Sequence, residues 1–161
     1  MHASNAQRVF EDAMIQLLRL QVPDDHDAFA FAADTWLRSY RDACEGGYDR
    51  TPPLDAAQYV IRGLSQQAYF DLMRPYVQRC LRGGFLLATL EDDEDNFAGF
   101  AVTRGSTLVY IYVKKWWRRQ GVATRMLAEL DYLDGYCLRT WPWVDDWLIG
   151  RCIPYQSEEG F

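Results

Sequence analysis

The segment at residues 109–127, VYIYVKKWWRRQGVATRML, holds the residue types best suited to binding an anion. An apolar strand runs here into a basic loop, and the loop into a helix that opens with small residues. The first turn of a helix has unused backbone N–H groups, with the positive end of the helix dipole behind them. Gly121 lets the backbone approach an anion closely, and Ala123 keeps the next turn thin. Because Arg118 and Arg119 add charged donors, the segment predicts a phosphate or pyrophosphate site.

The charge pattern places this segment in an acidic protein. The 161 residues carry a net charge of −6, yet residues 105–128 hold five basic residues and no acid. One basic segment favours a local site for a small anion over a nucleic-acid surface, which needs a broad basic face. Tight binding to duplex nucleic acid is therefore not expected. The alternative interpretation is a solvated helix start after an ordinary strand–helix crossing, in which the glycine serves tight packing.

Composition limits the remaining chemistry. The four cysteines show no C-x-x-C spacing and the chain has two histidines, so no metal site is expected. The acidic run EDDED at 91–95 is interpreted as the solvated tip of a hairpin. No apolar run reaches the roughly 18–20 residues of a membrane span, and no secretory signal is recognisable. We expect one domain over residues 1–161, with reduced thiols in the cytoplasm.

The elements that position the basic segment follow from the hydrophobic period. The predicted strands cover residues 14–21, 85–90, 97–104, 107–113 and 136–140. The predicted helices cover residues 26–44, 54–63, 65–82 and 119–133, with a helical turn at 143–149. Pro75 is expected to kink or split its helix. The order predicts an α/β fold class, as an α+β domain with a mixed sheet that begins as an antiparallel meander.

The strand at 107–113 is apolar on both faces. Strict alternation points Leu108, Tyr110 and Tyr112 one way and the odd-numbered residues the other. A strand with two apolar faces lies in the centre of a sheet, with a layer of structure on each side.

The six residues RRQGVA at 118–123 resemble the R/Q-x-x-G-x-G/A signature of the GCN5-related N-acetyltransferases. The resemblance extends over residues 97–130, where hairpin, strand, loop and helix follow in that family's order. The overall layout is similar to small acetyltransferase-like proteins of tailed phages, although Lys115 stands where the family often has proline. The resemblance implies a central, mostly antiparallel sheet with helices on both faces. It also implies metal-free transfer of an acetyl group from acetyl-CoA to an amine, by direct attack in a ternary complex.

By position, the resemblance assigns ten residues to acetyl-CoA. The backbone of three strand residues would pair with the pantetheine arm, namely Ile111, Tyr112 and Val113. The pyrophosphate would lie against Arg118, Arg119, Gln120, Gly121, Val122, Ala123 and Thr124. The amine would attack where the strand at 107–113 diverges from the strand at 136–140, with strand amides polarising the carbonyl oxygen.

The acid and the base are less defined by the resemblance. The family often uses a tyrosine about thirty residues past the signature to protonate the CoA thiolate. Tyr155 lies 32 residues after Ala123, in a YQSEEGF stretch similar to the family's Y-x-x-x-G-F, and is the expected general acid. Pro154 departs from that pattern, because it disfavours a helix running into Tyr155. Asp145, Asp146 or a relayed water would serve as base, and weaker candidates for the acid are Tyr136 and Cys152.

The acceptor end leaves several alternatives open. The aromatic stretches at 36–41 and 141–147 either pack in the core or line a cleft in which Trp141, Trp143 and the neighbouring aspartates suit a cationic amine. The amine would belong to a small molecule, a protein or a modified nucleotide. The family usually continues beyond the position of Phe161, so a second subunit in a homodimer would complete this side, or the cleft stays open. The alternative function is a non-catalytic module, with or without CoA, that binds a partner protein.

Overall fold

The computed structural model describes residues 15–20, 26–46, 56–130, 132–138 and 140–156. The strands are β1 (Ile15–Leu20), β2 (Phe85–Leu90), β3 (Asp93–Arg104), β4 (Thr107–Val113) and β5 (Gly135–Tyr136). The helices are α1 (His26–Glu45), α2 (Ala56–Arg62), α3 (Gln66–Arg82), α4 (Val122–Glu129) and α5 (Pro142–Ile149). A short 3-10 helix, Lys115–Trp117, lies in the loop between β4 and α4.

The five strands form one sheet in the order β1-β2-β3-β4-β5. Neighbouring strands from β1 to β4 are antiparallel, and β5 pairs with β4 in parallel. The parallel pair requires a crossover, which the loop and α4 provide. The predicted mixed α/β fold class is thereby confirmed, with a sheet that is mostly antiparallel.

Helices cover both faces of the sheet. The first core lies between the sheet and helices α1 to α3, around Trp36, Tyr69 and Phe100. The second core lies between the sheet and helices α4 and α5, around Met126 and Leu148. The strand β4 contributes to both cores, as expected for a central strand.

The helices of the first core are built on simple sequence signals. Every fourth residue of α1 from Ala28 through Trp36 to Cys44 is buried, so one face of the helix packs on the sheet. Ser65 caps α3 by accepting a hydrogen bond from the backbone N–H of Ala68 at 3.2 Å. The sequence predicts that Pro75 kinks or splits α3; the split is wrong, because the helix continues through Pro75 from Gln66 to Arg82, and the kink stays a prediction. None of the described helices is both long enough and apolar enough to cross a membrane.

Element boundaries differ from the sequence expectation at three places. The hairpin turn between β2 and β3 is shorter than predicted, because Asp93 already pairs with Leu90 and only two residues turn. The helix predicted over 119–133 covers Val122–Glu129, since the backbone of Leu130 is extended. The strand predicted over 136–140 is limited to Gly135–Tyr136. The starts of the predicted strand at 14–21 and helix at 54–63 lie outside the described residues.

The strand β4 contains a bulge that the sequence expectation missed. Val102 pairs with Tyr110 while Thr103 pairs with Leu108, which leaves Val109 as an extra residue in β4. Val109 and Tyr110 consequently both contact the first core, whereas Leu108 belongs to the second. The predicted strict alternation is therefore wrong for Leu108 and Val109.

Candidate active site

A cleft of about 550 Å³ opens where β4 and β5 diverge. The two strands pair only at Thr107 with Gly135 and at Leu108 with Tyr136. The backbone N–H of Cys137 then donates to the Leu108 oxygen at 3.1 Å. Within the described part of the chain, residues 110–113 have no strand partner on that side, and all four line the cleft. The cleft thus has an open strand edge as one wall.

The other walls come from three separate parts of the chain. The segment after β5 and the helix α5 supply Thr140, Trp141, Trp143, Val144 and Trp147. The loop and the start of α4 supply Trp117, Arg118, Arg119, Gly121, Val122, Ala123 and Thr124. Ser39 of α1 also lines the cleft. Three tryptophan rings make the wall facing β4 largely apolar.

Arg118 connects the loop to β4 on one side of the cleft and to α5 on the other. Its Nε donates a hydrogen bond to the backbone oxygen of Val113 at 2.9 Å, which holds the loop against the end of β4. Its guanidinium lies 5.8 Å from the ring centre of Tyr112 and 5.6 Å from that of Trp143. These contacts keep a permanent positive charge at the cleft.

The loop presents unused backbone donors where it enters α4. Arg119 and Gly121 have left-handed backbone angles, with φ of 61° and 79°. No side chain of the described residues caps α4, and the N–H of Arg125 makes the first helix hydrogen bond, to the Gly121 oxygen at 2.9 Å. The N–H groups of residues 122–124 precede that bond and carry the positive end of the helix dipole. Apart from its chain neighbours, a Cβ on Gly121 would lie more than 4 Å from every atom of the chain segments described, so the space over the loop is open.

Nine of the ten residues assigned to acetyl-CoA line this one cleft. The exception is Gln120, whose exposed side chain donates to the backbone oxygen of Trp116 at 2.8 Å. Of the five basic residues in segment 105–128, Arg118 and Arg119 line the cleft. Lys114 instead lies 4.9 Å from the ring centre of Phe31, and partial burial lowers the pKa of its ammonium group.

Arg151 is a cationic residue that sequence reasoning missed. Its Nη2 lies 3.4 Å from the hydroxyl of Thr124, at the start of α4, and its guanidinium stacks 4.1 Å from the ring centre of Trp147. Arg151 and Thr124 lie 27 residues apart in the chain, so only the tertiary fold brings them together. No local sequence signal marks Arg151 as a neighbour of the α4 N-terminus.

The structure does not bring the predicted acid and base to the cleft wall. Asp145 is fully buried within α5, and Asp146 is exposed on the same helix. Tyr155 forms a bridge to Tyr136, with ring centres 5.5 Å apart. None of the three predicted catalytic residues lines the cleft, nor does Cys152, which is exposed.

Sequence reasoning missed a pair of hydroxyl groups at the closed end of the cleft, which is the end at which β4 and β5 still pair. The Ser39 and Tyr110 oxygens are 2.7 Å apart, and the Ser39 hydroxyl is also 2.7 Å from the Thr35 backbone oxygen. Because a serine hydroxyl has one proton and the carbonyl can only accept, Ser39 donates to Thr35 and Tyr110 donates to Ser39. Tyr110 also stacks on Trp36 with ring centres 4.7 Å apart, and burial raises the pKa of its phenol. Tyr110 is therefore a neutral phenol whose oxygen keeps lone pairs to accept hydrogen bonds.

No protein-family model and no curated protein sequence matches this chain. Solved structures do resemble it. The apo form of YjaB from Escherichia coli aligns with a TM-score of 0.44 and 18% identity over 71% of this chain, which spans 63% of YjaB. The aminoglycoside acetyltransferase HMB0005 from an uncultured soil metagenomic sample aligns with a TM-score of 0.38 and 12% identity, covering 91% of this chain and 80% of that one. The ribosomal-protein-alanine N-acetyltransferase from Brucella melitensis biovar Abortus 2308 gives 0.37 and 16%, covering 92% and 80%.

The architecture is the one that the acetyltransferase resemblance implies. The hairpin, the diverging strand pair and the loop that opens into α4 follow one another in the expected order. All three TM-scores are below 0.5 and all three identities are below 20%, so what this chain can do is derived from the residues of its own cleft.

Proposed function

We propose that this chain is an acyl-CoA-dependent N-acyltransferase that moves an acetyl group from acetyl-CoA to an amine. The observation that carries the proposal is the shared cleft. An unpaired strand edge, two arginines and the uncapped start of a helix all face the same space of about 550 Å³. That combination suits a ligand with an anionic end and an extended amide-bearing arm.

The loop and α4 would hold the pyrophosphate of acetyl-CoA. The N–H groups of residues 122–124 point out of the first helical turn, where the helix dipole favours negative charge. Arg119 and Gly121 have left-handed backbone, the conformation with which anion-binding loops turn neighbouring N–H groups toward one concave side. The open space over Gly121 matches what a close-lying phosphate requires. Arg118 and Arg119 add charge-assisted donors.

The free edge of β4 would hold the pantetheine arm. An extended ligand with amide groups can pair with an exposed strand edge as an additional strand. Residues 110–113 offer such an edge, and the indole rings of Trp141, Trp143 and Trp147 face it from the opposite wall. This packing would keep water from the reacting end of the cleft.

When bound, acetyl-CoA would supply an activated acetyl group to the amine. The new N–C bond would replace the C–S bond, one proton would leave the amine and one would reach the sulfur. The chain's own contribution would be to fix both reactants in one geometry, which accounts for much of the acceleration in two-substrate transfer. Tyr110 would accept a hydrogen bond from the N–H of the incoming amine and leave the nitrogen lone pair free. The roles of Tyr155, Asp145 and Asp146 as acid and base stay predictions, as do the acceptor's identity, a second subunit and a cytoplasmic location.

The second candidate function is a non-catalytic module, with or without bound CoA, that contacts a partner protein. It is favoured by one observation, because none of the predicted acid and base side chains lines the cleft. In its CoA-bound form it would share the coenzyme site with the first candidate and differ in turnover.

Thermal unfolding with and without acetyl-CoA tests the coenzyme site. A ligand at 100 times its dissociation constant stabilises the folded state by about 2.7 kcal/mol. For a chain of this size, each kcal/mol raises the melting temperature by about 2–4 °C, so a rise of several degrees is expected. No rise at millimolar acetyl-CoA would remove the transferase and leave only a module that works without CoA. If the rise appears, release of free thiol in the presence of varied amines distinguishes the enzyme from the binding module.

A further inference from the structure

Thr140 lies at the closed end of the cleft. The pairing of β4 with β5 ends at the bond from Cys137 to Leu108, and Thr140 follows Cys137 by three residues. On the opposite strand, Tyr110 follows Leu108 by two residues, and both Tyr110 and Thr140 line the cleft. The anion-binding loop lies beyond the other end of β4. A ligand with its phosphates on that loop and its arm along β4 therefore brings its far end to Thr140.

The side chain of Thr140 is buried with its hydrogen-bonding capacity unused. The residue is 7% exposed, and its Oγ1 has no hydrogen-bond partner among the residues that the structure describes. Buried hydroxyls are normally paired, because desolvation without a partner is unfavourable. A threonine hydroxyl in this state, at the wall of a cleft, indicates that a ligand group supplies the missing partner.

The neighbouring hydroxyls cannot donate in its place. The Ser39 proton goes to the Thr35 backbone oxygen, and the Tyr110 proton goes to Ser39. Tyr110, which lines the cleft, thus keeps only lone pairs to offer a ligand. Thr140 still has its proton to give, so the closed end offers an acceptor from β4 and a donor from the segment after β5.

We infer that Thr140 donates a hydrogen bond to the carbonyl oxygen of the acyl group at the closed end of the cleft. This inference rests on the proposed function. The thioester carbonyl is an acceptor only, which complements a hydroxyl that has no other use for its proton. As the amine nitrogen bonds to the carbonyl carbon, the electron pair of the C=O bond moves onto this oxygen, and a fixed donor stabilises the developing charge. The pair then returns to the carbonyl as the C–S bond breaks, and the electrons of that bond leave with the sulfur, which takes up one proton while the amine loses one.

A buried water is the competing explanation for the unused hydroxyl. A second void of about 10 Å³ lies against Thr140, between Tyr110, Tyr136 and Val144. That volume is at the lower limit for a single water molecule. A water there would give Thr140 a structural partner with no relation to the acyl group.

Affinities for acetyl-CoA and for free CoA separate these explanations, because only acetyl-CoA has the carbonyl. Isothermal titration of both ligands would be carried out on the wild type, Thr140→Val and Thr140→Ser. We expect the wild type and Thr140→Ser to prefer acetyl-CoA over CoA by about three- to tenfold, as one neutral hydrogen bond allows. Thr140→Val should lose that preference while its affinity for CoA stays unchanged.

The outcomes are distinct. If the wild type binds neither ligand, the proposed function fails and the inference with it. If the wild type binds both but Thr140→Val keeps the wild-type preference, the inference alone is overturned and the buried water is favoured. An infrared difference spectrum of wild type with [¹³C]acetyl-CoA provides a reading that needs no variant. A carbonyl band at the frequency of a thioester without a hydrogen bond also overturns the inference, and a band shifted to lower frequency supports it.

Discussion

The hydroxyl oxygens of Ser39 and Tyr110 lie 2.7 Å apart, although 71 residues separate them in the chain. Ser39 is on α1 and Tyr110 is on the central strand β4, so this hydrogen bond joins the helical layer to the sheet at the closed end of the cleft. It also determines which way the Tyr110 proton points, and hence what the phenol can offer a ligand.

Burial of Tyr110 predicts a specific loss of stability at alkaline pH. Desolvation raises its pKa above the ordinary value of 10.0, so the folded state keeps the proton when the unfolded state has begun to lose it. The unfolded state then binds fewer protons, and the free energy of unfolding falls as the pH rises above about 10. Urea unfolding between about pH 8 and pH 11 should show a smaller fall for Tyr110→Phe than for the wild type.

The matched control for this measurement is Tyr132→Phe, since Tyr132 is 83% exposed. It should retain the wild-type dependence on pH. Equal slopes for wild type and Tyr110→Phe would contradict the assignment of the alkaline loss to Tyr110, and Tyr69 would then be the remaining candidate, because burial raises its pKa as well.

The open space over Gly121 predicts that an acidic side chain there abolishes coenzyme binding, by an effect beyond backbone strain. In Gly121→Asp a carboxylate would occupy the space over the loop and repel phosphate, so acetyl-CoA should no longer raise the melting temperature. Gly105→Asp is the control, because Gly105 also has a positive φ, of 60°, and open space at its Cβ position. That variant should show similar strain and a normal rise. A normal rise in Gly121→Asp would place the phosphate site elsewhere.

Arg151 predicts a salt-dependent contribution to coenzyme affinity. Its guanidinium lies beside the Thr124 hydroxyl at the start of α4. Because an exposed charge pair contributes about 0.2–1 kcal/mol, Arg151→Gln should weaken acetyl-CoA binding by about two- to fivefold at low salt. The difference from wild type should shrink as salt rises toward 1 M, where charges are screened within about 3 Å.

Arg82→Gln, at the end of α3, serves as the control for removing one exposed arginine. It should leave the affinity unchanged. A loss in Arg151→Gln that persists undiminished at high salt would instead indicate a packing role on Trp147.

Tyr155→Phe tests the general acid that the sequence suggested. A group that protonates a leaving thiolate must come within hydrogen-bond reach of it. The sequence prediction requires a fall in turnover of about a hundredfold with unchanged acetyl-CoA affinity, measured as thiol release with any amine found to be a substrate. Tyr155 packs on Tyr136 and does not line the cleft, so turnover within about twofold of wild type would contradict that prediction and leave the acid to another group.

The loop that lines the cleft between β4 and α4 could be predicted because its parts are consecutive in the chain. Residues 109–124 pass directly from strand to loop to helix, so spacing alone places the glycine, the arginines and the unused N–H groups together. The apolar residues Leu130 and Leu133 continue the helical spacing, and the predicted helix is therefore too long. Both residues pack in the second core from non-helical backbone, and periodicity cannot separate that from a further helical turn.

The donor and acceptor groups at the closed end could not be predicted in this way. The contact of Ser39 with Tyr110 depends on how α1 docks on the sheet, and the position of Tyr110 depends on the bulge at Val109. A bulge arises from pairing with β3 and has no marker in the sequence of β4 itself. Thr140 lines the cleft only because the chain after β5 diverges from β4, and the sequence does not show where that divergence begins.

Gly99 predicts a stability effect that reaches the cleft through β4. Gly99 lies on β3 opposite Val113, and a Cβ at this position would collide with the backbone oxygen of Tyr112. A backbone atom of a paired strand cannot move aside as a side chain can, so Gly99→Ala should lower the free energy of unfolding by about 1–3 kcal/mol. The same displacement should shift the strand edge at Tyr112 and weaken acetyl-CoA binding. Urea unfolding and the acetyl-CoA thermal shift measure the two effects, with Gly63→Ala as control because its Cβ would lie 3.6 Å from the nearest atom, the Val60 oxygen. A wild-type stability for Gly99→Ala would mean that β3 and β4 approach each other less closely than the structure shows.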